Sequence, residues 1–188
     1  MHSLLLGLTA FVLYLLYDIN SFTRKLKIAH SFFLLGTTLL GIATVLDFVA
    51  AWRMGGFSGA LDWFLLIDAG ICFAALIYCL FFALPFQETY TKQNSGNHVY
   101  SGGVYALCRH PGILCFFGMY LSLGLAALPS GMLIRGMLFS TMNLLYAWFQ
   151  DRITFPRTFC DYADYQKKVP FLIPTKASIR MARETLFR

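Results

Sequence analysis

The amino-acid sequence predicts an all-α membrane protein with about five transmembrane helices and a small C-terminal cytoplasmic cap, in one domain spanning residues 1–188. Three observations carry this expectation. The chain is 58% hydrophobic and 13% charged, against roughly 45–50% and about 25% in ordinary soluble domains. A soluble globule of 188 residues has too little polar side chain to cover so much apolar surface. The apolar residues also gather in runs approaching the ~20 residues that a helix needs to cross a bilayer core about 30 Å thick. Finally, the basic residues collect between alternate runs.

The runs follow in order. The first, from Ser3 to Tyr17, is short for a span. It lacks a basic leader and a small-residue cleavage site, so a retained helix is expected rather than a removed signal peptide. The second runs from Ile28 to Trp52 and the third from Trp63 to Leu84. A polar stretch from Gln87 to Gly103 separates these three from the fourth, Ile113 to Leu128. Pro129-Ser130-Gly131 then makes a tight turn into the fifth, Met132 to Phe149. From Asp151 onward the chain mixes charges with many Phe and Tyr residues. That composition suits a folded cap better than a disordered tail, with an amphipathic surface helix as the plainer alternative.

Thirteen of the 15 Lys and Arg residues fall on one side of this layout: Arg24, Lys25, Lys27, Lys92, Arg109 and eight after the fifth run. Only Arg53 and Arg135 fall near the other. The positive-inside rule then puts the N-terminus outside and the tail in the cytoplasm, in a bacterial inner membrane or the endoplasmic reticulum. The net charge of +6 is explained by orientation in a bilayer, and no nucleic-acid partner is expected. Asp47, Asp68 and Arg135 lie inside the runs at similar depth. Charges in hydrocarbon are costly unless paired, so Arg135 is expected to meet Asp47 or Asp68. The five Cys are odd in number and lack CxxC spacing, so neither a disulfide framework nor a metal site is expected.

The chemistry-bearing residues stand at the cytoplasmic ends of the fourth and fifth helices. Ser101 to Pro111 reads SGGVYALCRHP. Gly102 and Gly103 permit a sharp turn or close backbone approach, and Pro111 suits the first turn of a helix. Arg109 and His110 thus flank a helix N-terminus, which favours an anionic group. Contact with lipid phosphates is an equally good local explanation. A second piece follows the fifth helix: Gln150-Asp151-Arg152, Phe155 to Phe159, Asp161-Tyr162, Tyr165 to Lys168 and Val169-Pro170.

Together these pieces resemble the isoprenylcysteine carboxyl methyltransferase family and the wider group of membrane phospholipid methyltransferases. The resemblance covers roughly Val99 to Pro174 and rests on Gly-x-Tyr-x-x-x-Arg-His-Pro, a helical hairpin, an acidic position and a Phe…Tyr-x-x-Tyr-x-Lys-Lys-Val-Pro tail. It implies a compact helical enzyme that binds S-adenosylmethionine at the cytosolic face. It also implies a lipid-like or prenylated acceptor drawn from the bilayer. Gly103, Tyr105, Arg109, His110 and Pro111 fall on the first motif, Asp151 on the first member of a Glu-Glu pair, and Tyr162 and Tyr165 on the later tyrosines. The implied cofactor residues are Gly103, Tyr105, His110, Pro111, Asp151, Tyr162 and Tyr165, with Arg109 and Asp151 as catalytic residues. In those roles Asp151 would hold the cofactor's ammonium, His110 and the helix start its carboxylate, and Arg109 an anionic acceptor. The chain departs from the family pattern at Ile113, Cys115, Arg152 and Cys160, where Tyr, Gly, Glu and Gly are usual. A non-catalytic membrane scaffold or lipid-binding protein, and a nicotinamide-dependent lipid reductase, are the alternative functions.

Overall fold

The computed structural model describes residues 2–23, 26–83 and 97–186. Arg24, Lys25, Lys92 and the polar stretch up to residue 96 lie outside the described residues, as does Leu84 at the expected end of the third run. No strand occurs among the described residues. Among the described residues five longer helices form the body: α1 (His2–Phe22), α2 (Ser31–Arg53), α3 (Ala60–Ile77), α5 (Pro111–Ala126) and α6 (Met132–Phe149). The short α4 (Val104–Leu107) precedes α5, and the tail folds into α7 (Phe155–Thr158), α8 (Tyr162–Lys168) and α9 (Lys176–Leu186).

The apolar runs locate the helices, and local chemistry moves their ends. α1 continues five residues past Tyr17 because Asp18 and Asn20, which end the apolar run, are buried rather than solvated. Asn20 closes the following turn through Leu26, its side chain donating to the Leu26 carbonyl and accepting from the Leu26 N–H. α3 begins at Ala60, three residues before Trp63, where the Asp62 carboxylate accepts the Gly59 N–H at 2.8 Å. That bond satisfies a donor left over at the helix start. α5 begins at Pro111, two residues before Ile113, because proline's fixed φ suits the first turn. It ends at Ala126, and a 3₁₀ turn from Leu128 to Ser130 leads to Gly131 at φ +70°.

α1, α2 and α3 are each long and apolar enough to cross a membrane when adjoining turns are included (His2–Phe22, Lys27–Arg53 and Ala60–Phe82), while α5 is a shorter apolar helix. α1 packs on α2 and α6, α3 on α5, and α5 on α6. All five supply one core: Ala10, Phe11 and Tyr14 from α1, Leu40 from α2, Ala69 from α3, Phe116, Met119 and Tyr120 from α5, and Phe139 from α6. The α5–α6 hairpin is tight at Gly124, where an added Cβ would stand 2.6 Å from the Leu133 Cα. The outer faces are apolar. Leu61, Phe64, Ile67 and Ile71 on α3 are all more than half exposed, a surface suited to lipid rather than water.

The charges inside the bundle find partners. Arg135 Nε lies 2.9 Å from Asp47 Oδ1, joining α6 to α2 as the sequence predicts. The contact is ionic rather than a well-aligned hydrogen bond, and Arg135 Nη2 also donates to the Ser130 carbonyl at 3.0 Å. Asp68 takes the other course, accepting from the Ser122 hydroxyl of α5 at 2.6 Å.

Candidate functional site

The candidate site forms where α5 begins and α6 ends. The hairpin returns the chain to its starting level, so His110 and Asp151, 41 residues apart, come to 3.4 Å (Nε2 to Oδ1). α6 does not stop at Phe149 but widens into a π-helical turn from Gln150 to Thr154. Such turns are frequent at functional sites, and this one carries Asp151, only 2% exposed, at its inner face.

Asp151 is the hub. Arg109 grips it with two parallel bonds, Nε to Oδ1 at 2.7 Å and Nη2 to Oδ2 at 3.0 Å. The Tyr162 hydroxyl donates to Oδ1 at 2.6 Å, and Gln166 Nε2 donates to Oδ2 at 3.1 Å and to the Asp151 carbonyl at 3.0 Å. With His110 these donors engage all the acceptor capacity that a carboxylate has. Burial opposes the charged form of Asp151, but the donors of His110, Arg109 and Tyr162 outweigh it and hold the carboxyl well below the usual carboxylate range. The same pairing, added to burial, pushes the Tyr162 hydroxyl well above its ordinary value, so it remains a donor.

Arg109 is equally occupied. Its Nη1 donates to the carbonyls of Val169 at 2.6 Å and Gln166 at 3.2 Å, its backbone N–H donates to the Pro170 carbonyl, and its guanidinium lies over the Phe171 ring. One arginine thus ties the entrance of α5 to the end of α6 and to the segment leaving α8. His110 is buried beside this latch, its ring stacked on Phe155 at 5.9 Å and meeting Phe171 edge-on at 4.9 Å.

The remaining expected site residues are placed around this hub. Tyr105 donates its hydroxyl to the Cys79 carbonyl at 2.8 Å, in the π-helical turn ending α3, while the Tyr165 hydroxyl donates to the Tyr105 carbonyl at 2.7 Å. Gly103 sits at φ +57° and ψ −132°, a backbone region that favours glycine; its N–H donates to Thr185 of α9 at 3.0 Å. Gly103 also borders an open groove of about 250 Å³ lined with Tyr78, Phe82, Ala83, Tyr100, Val104 and Thr185. Neither His110 nor Asp151 reaches this groove. Burial pushes the nearby Cys108 thiol up to about 11.

Sequence reasoning placed Gln166 and Phe155 in the second piece without assigning them a role, and missed Phe171. Gln166 had a signal: Tyr162, Tyr165, Gln166 and Val169 share one helical face at i, i+3, i+4 and i+7. That face packs the cap, with Tyr162, Tyr165 and Val169 buried against Val99, Phe155, Phe159 and Met181. Phe171 gave no signal beyond the general abundance of aromatics. S-adenosylmethionine requires aromatic or apolar walls for adenine, an acceptor for its ammonium and donors for its carboxylate. The groove supplies walls of the right kind. Asp151 does not fit the ammonium role here, because every one of its acceptor positions is engaged. Comparisons with protein-family models, with curated proteins and with solved structures gave no match to this chain.

Proposed function

We propose that this chain is a membrane-embedded, S-adenosylmethionine-dependent methyltransferase acting on a lipophilic acceptor, a prenylcysteine-like carboxylate or a phospholipid-like group. The observation that carries the proposal is the convergence, within 3.4 Å, of His110 and Asp151, the centres of the two motif pieces. Pieces drawn from distant parts of a chain and brought together at a helix N-terminus are the usual construction of a functional site. In this reading α1, α2, α3, α5 and α6 are five spans, the N-terminus lies outside and the tail forms a cap on the cytoplasmic side. The 16 residues of α5 rise about 24 Å and the 18 of α6 about 27 Å. Both fall a little short of a ~30 Å core, a mismatch that bilayers accommodate by local thinning.

The cofactor supplies a methyl group activated by its sulfonium. The chain's own residues hold and orient. Arg109, Asp151, Tyr162 and Gln166 act as positioning residues that fix the cap on the bundle, while Gly103 and the aromatic groove beside it form the face open to a ligand. His110 is the titratable group standing between the latch and the aromatic cluster. Rate would come mainly from aligning donor and acceptor.

One observation favours a second reading, the non-catalytic scaffold: the Arg109–Asp151 pair is closed on itself, as in a purely structural latch. Methyl-labelled S-adenosylmethionine, incubated with the protein in vesicles of extracted lipid, separates the two. Transfer of label to a solvent-extractable lipid supports the enzyme. No transfer, with intact helix content and no cofactor binding, supports the scaffold.

A further inference from the structure

Three unlike ligand atoms meet at the edge of the cap, away from the latch. His98 Nδ1 lies 3.2 Å from Asp161 Oδ2 and 3.6 Å from Cys160 Sγ, and the three ligand atoms all lie within 4.8 Å of one another. We infer that His98, Cys160 and Asp161 form a binding site for a divalent transition-metal ion of the zinc class, which clamps the segment entering α4 to the tail. Two of these separations, His98 Nδ1 to Asp161 Oδ2 and to Cys160 Sγ, are those of atoms sharing one ion. A tetrahedral ion with metal–nitrogen and metal–oxygen bonds of about 2.0–2.1 Å and a metal–sulfur bond of about 2.3 Å spaces N from S by about 3.5 Å and N from O by about 3.3 Å.

The backbone holds the ligands in place. The Val99 N–H donates to Asp161 Oδ1 at 2.9 Å, which leaves Oδ2 turned toward His98. The Cys160 N–H donates to the Asn97 carbonyl at 3.1 Å, so residues 97–99 are laced to 160–161 before any ion binds. Such outer bonds orient metal ligands and set their readiness. Sγ also lies 3.8 Å from His98 Nε2, so binding requires the half-exposed imidazole to rotate until Nδ1 alone faces the shared centre. A thiolate, an imidazole and a carboxylate are a ligand set that zinc accepts. A Cys–His–Asp nucleophile is the weaker account. Nδ1 is the nearest ring nitrogen to both the thiol and the carboxylate, so no second nitrogen is set between them to pass a proton.

The site is independent of the methyltransferase proposal, and cobalt(II) tests it directly. The full-length protein in detergent micelles is titrated with Co²⁺ and followed by absorption. The expected result is one equivalent bound, with a thiolate-to-cobalt charge-transfer band in the near ultraviolet and tetrahedral bands in the visible. Competition by Zn²⁺ should remove both. Cys160→Ser should abolish the charge-transfer band, and His98→Ala should weaken binding by more than the roughly 10- to 100-fold that loss of an outer partner brings. Far-ultraviolet circular dichroism checks that each variant stays folded; should Cys160→Ser misfold, His98→Ala and Asp161→Asn decide with the thiol intact. Absence of the bands in the natural sequence overturns the proposal. So does their persistence in Cys160→Ser, which would assign them to Cys72, Cys79, Cys108 or Cys115.

Discussion

Replacing Asp151 with Ala should release the cap from the bundle without unfolding the bundle. The carboxylate accepts two bonds from Arg109 and one each from Tyr162 and Gln166, all at 3.1 Å or less. Removing one partner of a buried ion pair costs about 3–5 kcal/mol, because the other charge is left uncompensated. Arg109 keeps its bonds to Val169 and Gln166 and its contact with Phe171, so the lower end applies. About 3 kcal/mol is a change of roughly a hundredfold in the docking equilibrium. Trypsin cleavage at Arg157, Lys167 and Lys168 reports it, since cleavage tracks the open population while reclosing is fast. We expect cleavage on the order of a hundredfold faster in Asp151→Ala, with the helix content of α1–α3 unchanged. The double variant Arg109→Leu/Asp151→Ala should lose less than the sum of the singles, because its second change removes the stranded charge. Cleavage within about threefold of the natural protein, or strict additivity, would refute the reasoning.

Other outcomes follow from the same geometry. Because the folded Asp151 carboxyl is held below its ordinary value of 3.8, its contribution is fully present above that value and is lost as pH falls toward the depressed folded value. Cap protection against an acid-active protease should therefore be flat from about pH 5 to 8 and decline below pH 4. Arg135→Leu strands Asp47 between α2 and α6 and should destabilise the bundle by about 3 kcal/mol in detergent unfolding, whereas Arg135→Lys should retain part of the pairing. Gly124→Ala drives a Cβ to 2.6 Å from the Leu133 Cα and should cost about 1–3 kcal/mol by parting α5 from α6, read by the same unfolding. Cys160 is exposed on the cap, so in the presence of a metal chelator a membrane-impermeant maleimide should label it only after cells are opened. Labelling in intact cells would reverse the proposed topology.

Helices were legible because their signal is local and strong. Apolar runs announced all five longer helices, and the pairing of Arg135 with Asp47 followed from equal depth in an apolar medium. Their ends were less legible, since an end depends on what a polar residue meets after folding. Asp18 and Asn20 read as the close of a run, yet both are buried within α1. The meeting of His110 with Asp151 was also legible, because an antiparallel hairpin returns to its starting level whatever its side chains. The closed pairing of Arg109 with Asp151 was not. Each alone suits a ligand, and only their placement within 2.7 Å reveals that they satisfy one another. The grouping of His98 with Cys160 and Asp161, more than 60 residues on, left no mark in spacing for the same reason.

The most direct measurement of the central claim is a calorimetric titration of the detergent-solubilised full chain with S-adenosylmethionine, S-adenosylhomocysteine and NADPH in turn. We expect the first two to bind with one-to-one stoichiometry and the third not to bind. Tyr100→Ala in the groove should weaken that binding while helix content stays unchanged. Failure of both adenosyl ligands to bind a folded protein would contradict the methyltransferase assignment, and binding of NADPH alone would transfer it to the reductase.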